Sequence, residues 1–259
     1  MRAGHSLLGG TYTRGNDAGD SVFYGFYYHD AHRLVRDRAL NAAVDLGKDP
    51  AQEGIKGLMI GYGIGVAAHA YVHSGVPLDI VELDKHVLDL ARAYFPLPAG
   101  PHGDPANATF HVADGRKFVE YTRGASYDFV IHDVFSGGSV PSAMFTWETF
   151  AHMRRVLKPG GTLSVNFVGR AHELAFRHVA KTLRAVFPYV RCFAEMPEGA
   201  NKDGAEAEVP PTGKDDVANY VFYASSQPMD FRPPETRDAF NSMMRTYALH
   251  KRMENEVAL

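Results

Sequence analysis

From about residue 57 onward, short apolar runs alternate with stretches that have apolar residues at helical spacing. The runs that predict strands are 57–61, 78–82, 109–112, 127–133, 162–167, 189–193 and 219–224. The stretch 84–94 carries apolar residues at positions 87, 88, 91 and 94, which is the spacing of one helix face, and Asp84 is a plausible N-cap. The alternation predicts an α/β fold: a mostly parallel, seven-stranded sheet with helices on both faces.

Further helices are predicted at 66–73, 116–121, 146–157 and 172–186, and Lys158-Pro159-Gly160-Gly161 predicts a helix stop and a turn. The last two strands are expected to pair antiparallel at one edge. Three units follow: an aromatic-rich N-terminal segment (1–50), a nucleotide-binding domain (51–230) and a C-terminal helix (231–259). In that helix, Phe240, Met243, Met244 and Tyr247 are expected to form a docking face. The Gly- and Pro-containing insertion 196–217 predicts either a lid or a disordered loop.

Composition narrows the classes of protein that the chain can represent. The 259 residues are 45% hydrophobic and 22% charged, with 27 Lys and Arg against 30 Asp and Glu, which disfavours a dedicated nucleic-acid binder. A single cysteine, Cys192, excludes an intramolecular disulfide and a cysteine-cluster metal site, and the histidines show no metal-ligand spacing. Glycines and a proline interrupt the uncharged run 57–78, and no signal-like apolar segment follows Met1, so no membrane association and a cytoplasmic location are expected.

The candidate chemistry begins where the first strand runs into Gly61-Tyr62-Gly63-Ile64-Gly65, directly before a helix. Glycines let a ligand approach the backbone, and an acidic residue at the tip of the next strand, here Glu82, can accept hydrogen bonds from ribose hydroxyls. Asp114 follows the third strand, where it can bind an adenine amino group, cap a helix, or both. Asp133 ends the fourth strand at the same edge. NAD and S-adenosylmethionine both use such a site.

The segments "GLMIGYGIG", "LDIVELDKHVLDLARAYF", "FHVADGRKFV", "YDFVIHDVFSGGSVPSAMFTWETF" and "RRVLKPGGTLSVNF" decide between these cofactors. In order and spacing they resemble the class I S-adenosylmethionine-dependent methyltransferase superfamily, in particular its spermidine-synthase-like branch. The resemblance implies a Rossmann-like fold and S-adenosyl-L-methionine as cofactor, with S-adenosyl-L-homocysteine as product. It implies that the methionine part lies at the glycines, the ribose at Glu82 and the adenine at Asp114. The predicted cofactor-binding residues are Gly61, Tyr62, Gly63, Gly65, Glu82, Leu83, Asp114, Gly115 and Asp133.

Two departures bear on the substrate. Ile64 and Ser136 stand where aminopropyltransferases of this branch carry acidic residues that bind a diamine, so polyamine specificity is expected to be lost. The leading hypothesis is a methyltransferase that acts on a small-molecule acceptor. An aminopropyltransferase with an altered amine site and a non-catalytic binding module remain as alternatives, and a dehydrogenase is more distant.

Asp133 is the favoured catalytic base; His132, His5, Tyr27 and His29 are the other candidates. Strand alternation places His132 on the opposite face from Asp133, under a helix. Phe145 and Trp147 are expected to pack in the core or, alternatively, to line a substrate pocket. No metal site is predicted. The resemblance suggests a homodimer, for which exposed aromatic residues of the N-terminal segment would be the local support.

Overall fold

A twisted sheet carries most of the hydrophobic core in the computed structural model, which describes residues 1–3, 6–103, 106–134, 141–195 and 217–259. The strands are β1 (Arg2–Ala3), β2 (Ser6–Leu7), β3 (Gly57–Ile60), β4 (Leu78–Glu82), β5 (Ala108–Val112), β6 (Tyr127–His132), β7 (Leu157–Gly169), β8 (Tyr189–Ala194), β9 (Ala218–Ser225) and β10 (Glu256–Val257). The α-helices are α1 (Ala39–Asp45), α2 (Val66–His73), α3 (Lys85–Tyr94), α4 (Gly115–Tyr121), α5 (Trp147–Val156), α6 (Leu174–Val186) and α7 (Met243–Glu254). Short 3₁₀ helices lie at Tyr24–Leu34, Ser142–Phe145 and Thr236–Ala239.

The main sheet confirms the Rossmann-like methyltransferase fold. Within the described residues its order is β10-β8-β9-β7-β6-β3-β4-β5, with β3 to β7 parallel and β9 antiparallel between β7 and β8. The predicted antiparallel pair is therefore present. The predicted number of seven strands was wrong by one, because β10 pairs with β8 and covers the edge. A strand of two residues is too short to show a period of two in the sequence.

The helices predicted from hydrophobic spacing pack on the two faces of this sheet. All four residues of β3 are buried, as expected of a central parallel strand that is covered on both faces. α6 buries one face at helical spacing, formed by Phe176, Val179, Ala180, Leu183 and Val186. Asp84 caps α3 as predicted, by accepting a hydrogen bond from the His86 amide at 2.8 Å. These elements hold the carboxyl ends of β3 to β6 at one edge of the sheet.

The sequence 158–161 differs from its prediction as a separate turn. It continues β7, and the pairing with β6 shifts from Tyr127 opposite Leu157 to Phe129 opposite Thr162. The extra residues form a bulge in one strand, and Gly160 takes the positive φ of 78° that this irregular path requires. A Pro-Gly-Gly sequence is typical of both a turn and a bulge, so local sequence did not separate them.

The C-terminal region is two helices where one was predicted. Phe240 and Asn241 take φ values of 49° and 63°, in the left-handed region, and separate the 3₁₀ turn from α7. The buried residues of α7 are Arg245, Ala248, Leu249 and Arg252. Of the predicted docking face, Tyr247 packs edge-on against Tyr24 with ring centres 5.6 Å apart and Met244 packs against the same cluster, whereas Met243 is 63% exposed. The hydrophobic pattern did not predict the buried face of α7, because two of the four residues on that face are arginines, Arg245 and Arg252.

The N-terminal segment packs against α7 through buried charges. Arg245 of α7 donates to the Asp30 carboxylate at 2.7 Å. In the 3₁₀ turn before α7, Asp238 accepts from Arg33 at its backbone carbonyl, at 2.9 Å, and from Arg232 at its carboxylate, at 2.7 Å. Tyr24, Tyr27 and Tyr28 are buried in the same region. These tyrosines therefore give no support to the expected homodimer, which stays a prediction, as do the domain boundaries at residues 50 and 230. In the described part of the chain, no helix has the length and apolar character needed to cross a membrane.

Candidate functional site

A cavity of about 770 Å³ lies at the carboxyl ends of the parallel strands. One side, the glycine-loop half, is formed by residues that follow β3, β4 and β5 and by a segment before α5. Its lining is Ile60, Gly61, Gly63, Val81, Glu82, Leu83, Asp84, Val87, Ala113, Asp114, Gly115, Arg116, Pro141, Ala143 and Met144. The other side, the aromatic half, is lined by Leu8, Phe23, Phe26, Asp133, Val134, Asn166, Val168, Glu195, Val217, Ala218 and Asn219.

The glycine-rich turn fixes the floor between the two halves. Gly61 has a φ of 82°, and a Cβ there would lie 2.0 Å from the carbonyl oxygen of Asp133. Only glycine allows the ends of β3 and β6 to meet this closely. Gly63 also has a positive φ, 55°, and its backbone faces the cavity.

Two predicted cofactor residues lie behind this floor rather than on it. Tyr62 is 2% exposed, and its ring packs edge-on against Phe110 at 5.5 Å. Gly65 precedes α2 with a φ of 82°, and a Cβ there would lie 2.6 Å from the Tyr62 ring. Neither residue is among the described residues that line the cavity, and their contact with a ligand stays a prediction. They shape the turn because Tyr62 packs under it and Gly65 leaves space for the tyrosine.

Glu82 stands at the tip of β4 with its carboxylate fixed by the backbone. Its two oxygens accept hydrogen bonds from the amides of Tyr62 and Asp84, both at 3.0 Å. Leu83 follows it on the cavity wall and is 72% exposed. The carboxylate therefore has a set orientation before any ligand binds.

Asp114 caps α4, as predicted, and it also lines the cavity, where adenine binding stays a prediction. Its carboxylate accepts a hydrogen bond from the Arg116 amide at 2.9 Å. At Gly115, a Cβ would lie 2.3 Å from Cγ2 of Ile60, so a larger residue would push α4 away from β3. Leu83, Val87, Ala113 and Met144 form an apolar wall in this half, and Asp114 stands beside it.

Asp133 connects the two halves. Its amide donates to the carbonyl of Ile60 at 2.9 Å, and its carboxylate accepts a hydrogen bond from the side-chain amide of Asn166 at 2.8 Å. Burial raises the pKa of Asp133 from 3.8 to about 6, with the hydrogen bond from Asn166 lowering it and the charge of Glu82 raising it further. A carboxyl group with this pKa can accept and release a proton close to neutral pH.

Asn166 was missed by the sequence analysis. It lies on β7 beside the end of β6, it is 7% exposed, and both it and Val168 line the cavity. The sequence indicated nothing more than that Asn166 is a polar residue within a mostly buried strand.

The other candidate bases lie elsewhere. His132 is fully buried against Phe145 and Phe150, as strand alternation predicted, and burial lowers its pKa to about 4. His29 bonds to Ser164 at 2.7 Å, and burial lowers its pKa to about 3. Tyr27 donates to Asp20 at 3.2 Å. None of the three lines the cavity in the described part of the chain.

Phe145 is a core residue. Trp147 is 54% exposed at the start of α5, so the core interpretation was wrong for the tryptophan, and it is not among the described residues that line the cavity. His5, Ser136 and the insertion up to residue 216 lie outside the described residues.

The aromatic half is assembled from distant parts of the chain. Phe23 and Phe26 pack edge-to-face with their ring centres 6.2 Å apart. Glu195 follows β8 and accepts a hydrogen bond from the amide of Gly25 at 2.7 Å. The aromatic cluster was visible in the sequence, but nothing there connected it to Glu195, which lies 170 residues away.

Ile64 has a structural role that explains its neutral side chain. It is 2% exposed, and a Cβ on Gly9 would lie 2.8 Å from it. The isoleucine thus anchors residues 8–10 over the glycine-rich turn, where Leu8 enters the cavity wall. It places no charge in the cavity.

A family model described as the spermine/spermidine synthase domain matches residues 45–200, more than half of the chain. The chain belongs to this family. It is 30% identical over 270 residues to an N-terminal histidine N-methyltransferase of Emericella nidulans, a match that covers 100% of this chain and 44% of that protein. It is 36% identical over 110 residues to spermidine synthase 1 of Datura stramonium, covering 42% of this chain and 35% of that protein.

Among solved structures, a probable spermidine synthase from Corynebacterium glutamicum superposes with a TM-score of 0.58 at 22% identity, covering 87% of this chain and 77% of that one. This similarity shows the shared fold. The chain spans less than half the length of the first two relatives, at 44% and 35%.

Proposed function

We propose that the chain is an S-adenosylmethionine-dependent methyltransferase that transfers a methyl group to a nitrogen atom of a small acceptor. The observation that carries the proposal is Asp133, a cavity carboxyl with a pKa of about 6 that lies between the glycine-loop half and the aromatic half. The relative that matches over the whole chain is named for N-methylation of an N-terminal histidine. A peptide that begins with histidine is therefore the first acceptor to test.

The residues present fit S-adenosylmethionine. Glu82 presents a carboxylate of fixed orientation at a strand tip, which suits two ribose hydroxyls. The apolar wall of Leu83, Val87, Ala113 and Met144 suits an adenine ring, with Asp114 at its rim to accept from the exocyclic amine. The glycine-rich turn leaves room for the methionine part. When bound, the cofactor supplies a methyl group on a sulfonium, a leaving group that is already activated.

Asp133 prepares the acceptor nitrogen. Among the described residues its one side-chain hydrogen bond comes from Asn166 to Oδ1, which leaves Oδ2 for the acceptor. Above pH 6 the carboxylate can take a proton from an ammonium or imidazolium acceptor, which frees the lone pair that attacks. Asn166 is a positioning residue because its amide fixes the plane of the carboxylate.

The second candidate is aminopropyl transfer, which the family model favours. Binding of a diamine requires negative charge beside its second nitrogen, and Ile64 supplies none in the glycine-rich turn. We therefore rank methyl transfer first. A non-catalytic module is ranked third because Glu82, Asp114 and Asp133 all line one cavity. The cytoplasmic location, the homodimer and the absence of nucleic-acid binding stay predictions.

The test is calorimetric titration with S-adenosylmethionine, decarboxylated S-adenosylmethionine and NAD in parallel. Glu82→Ala removes the proposed ribose contact, and Glu120→Ala, an exposed carboxylate on α4, is the matched control. We expect the wild type and the control to prefer S-adenosylmethionine, with binding about 100-fold weaker in Glu82→Ala, because each hydrogen bond to a charged group contributes about 1.5–3 kcal/mol.

Mass spectrometry of a histidine-initiated peptide then reports the transferred group. A gain of a methyl group supports the proposal. Preference for the decarboxylated form, with aminopropyl transfer to a diamine, would replace it with the second candidate. Binding of none of the three would point to a non-catalytic module.

A further inference from the structure

Two buried histidines join the 3₁₀ helix Tyr24–Leu34 to strand β7 in the interior of the molecule. Nδ1 of His29 lies 2.7 Å from Oγ of Ser164, and Nε2 of His32 lies 3.0 Å from the same oxygen. Nδ1 of His32 lies 2.5 Å from Oγ1 of Thr162. The four residues are at most 3% exposed. They form one hydrogen-bonded cluster, the histidine clamp.

The clamp holds a segment that reaches the cavity. A 3₁₀ helix brings every third residue to one face and rises about 2.0 Å per residue, whereas a strand brings every second residue to one face and rises about 3.3 Å per residue. The contacts of His32 with Thr162 and of His29 with Ser164 follow these matching steps of about 6 Å. Phe26, one further step along the helix, lines the aromatic half of the cavity.

Shared use of Ser164 makes the clamp depend on neutral imidazoles. A serine hydroxyl has one hydrogen to donate, so in the neutral cluster it donates to one imidazole and accepts from the other. A protonated imidazole carries a hydrogen on both nitrogens, so protonation of His29 and His32 would leave the Ser164 hydrogen without an acceptor. Nε2 of His29 has no hydrogen-bond partner among the described residues and would become a buried charged donor. Protonation therefore breaks the hydrogen-bond pattern of the clamp.

The groups around the clamp disfavour a positive charge on it. The titratable and charged groups that face it from neighbouring elements are Tyr71 of α2, His132 of β6, Tyr223 of β9 and Arg252 of α7. Within the 3₁₀ helix, Asp30 is ion-paired with Arg33 and with Arg245 of α7. In the part of the chain that the structure describes, no carboxylate is hydrogen-bonded to either imidazole.

Opening of this helix is coupled to proton uptake. Burial lowers the pKa of His29 to about 3, assisted by His132, and it lowers the pKa of His32 well below its ordinary value, assisted by His29 and Arg252. Exposed to water, each imidazole ionises with a pKa of about 6.5. Since the open state binds these protons more tightly than the closed state, opening becomes more favourable as the pH falls below about 6.5.

We propose that the histidine clamp is a pH-sensitive device that holds the 3₁₀ helix on β7 only while both imidazoles are neutral. Uptake of two protons releases the helix. Because Phe26 moves with it, the aromatic half of the cavity loses part of its wall in mild acid, whereas the glycine-loop half keeps the contacts of β3 to β5. This inference is independent of which group the enzyme transfers.

Amide hydrogen exchange of residues 24–34, corrected for intrinsic rates, measures the opening, with α6 as the internal reference. From pH 6 to pH 5 the opening constant of the wild type should rise roughly 60-fold, because two imidazoles each contribute about eightfold. His29→Asn and His32→Asn each remove one titrating group, so the rise should fall to about eightfold in each, and the double variant should lose it. His86→Asn, at an exposed histidine on α3, is the matched control and should behave as wild type.

Ser164→Ala separates titration from packing, because it removes the shared hydroxyl and leaves both histidines. It should open more at pH 7 and keep the roughly 60-fold rise of the wild type. Asp30 and Arg33 are present in every variant, so their contribution cancels in the comparison. A wild-type rise below about threefold, an equal rise in the double variant, or the same rise in α6 would each overturn the proposal. If the double variant does not fold, the wild type, the single variants and Ser164→Ala still decide.

Discussion

The two halves of the cavity differ in how their residues are distributed along the chain. Apart from the segment 141–144, the glycine-loop half is drawn from residues 60–116, and its residues lie at the ends of β3 and β4, in the loops that follow β3 to β5, or in the first turns of the next helices. The aromatic half combines residues as distant as Leu8 and Asn219, and its central contact joins residues 170 positions apart. The first half is a property of consecutive strand–loop–helix units, whereas the second exists only when the N-terminal segment, β7, β8 and β9 have come together.

The largest expected effect is at the junction of the halves. Replacement of Asp133 by Asn keeps the shape of the side chain and removes its ability to accept a proton. We expect kcat for N-methylation to fall about 10³-fold, within the range for loss of a general base. Single-turnover methyl transfer, followed by mass spectrometry, measures the change.

Titration of Asp133→Asn with S-adenosylmethionine is the control for that result. Its affinity should change less than threefold if the glycine-loop half binds independently of the base. Rates within tenfold of wild type would show that the acceptor is deprotonated by another group and would remove Asp133 from the mechanism.

The next largest effect is expected on stability, from loss of the ion pair between Arg245 and Asp30, which holds the segment that carries Phe26. Arg245 is 4% exposed and bonds to Asp30, which is fully buried, so Arg245→Met leaves an incompletely paired charge in the core. We expect the free energy of unfolding to fall by about 3 kcal/mol, the lower end for a broken buried ion pair. Denaturant unfolding measures it. Lys85→Met, which removes an exposed ion pair with Asp89, should change stability by less than about 1 kcal/mol.

Ligand titrations of Arg245→Met, at temperatures where the variant is folded, test whether the two halves of the cavity bind their ligands independently. Affinity for S-adenosylmethionine should be retained, while affinity for the histidine-initiated peptide should weaken, because Phe26 lies on the same 3₁₀ segment as Asp30 and Phe23 directly precedes it. Equal loss of both affinities would show that the cavity behaves as one unit.

The same difference explains what the sequence could predict. The alternation of short apolar runs with helical spacing and the glycine-rich turn are local features. They correctly predicted the parallel strands β3 to β6 and the positions of Glu82, Asp114 and Asp133 at the carboxyl ends of strands. The prediction for the C-terminal region was wrong about the buried face of α7, because a search for hydrophobic spacing assigns an arginine to the surface, and Arg245 and Arg252 are buried. Glu195 and Asn166 were missed for a related reason: each gains its role from a tertiary neighbour, Gly25 or Asp133, that no local pattern identifies.

A smaller effect is expected at Asn166. Its amide hydrogen bond opposes the effect of burial, so its loss in Asn166→Leu should raise the pKa of Asp133 above 6. Because the carboxylate form is the active one, the acid limb of the rate–pH profile should move to higher pH, and kcat at pH 8 should fall about tenfold through loss of orientation. Val168→Ala alters the same wall without touching Asp133 and should leave the acid limb in place. An unshifted limb in Asn166→Leu would refute this positioning role.

The smallest expected effect is on the free energy of unfolding. It compares Asp133, from the aromatic half, with Glu82, from the glycine-loop half. The folded-state pKa of Asp133, about 6, lies above its ordinary value of 3.8, so ionisation of this group opposes folding once the pH exceeds 3.8 and fully above pH 6. Asp133→Asn should therefore be more stable than wild type by about 1–2 kcal/mol at pH 8, with the difference vanishing below about pH 4. Glu82→Gln should instead lose stability at every pH tested, because the amide nitrogen of glutamine cannot accept one of the two hydrogen bonds from the backbone amides of Tyr62 and Asp84. Urea unfolding at pH 4, 6 and 8 tests both. A destabilised Asp133→Asn at pH 8 would mean that the folded protein stabilises the ionised form of Asp133, and Asp133 would then not be a base whose pKa is raised by burial.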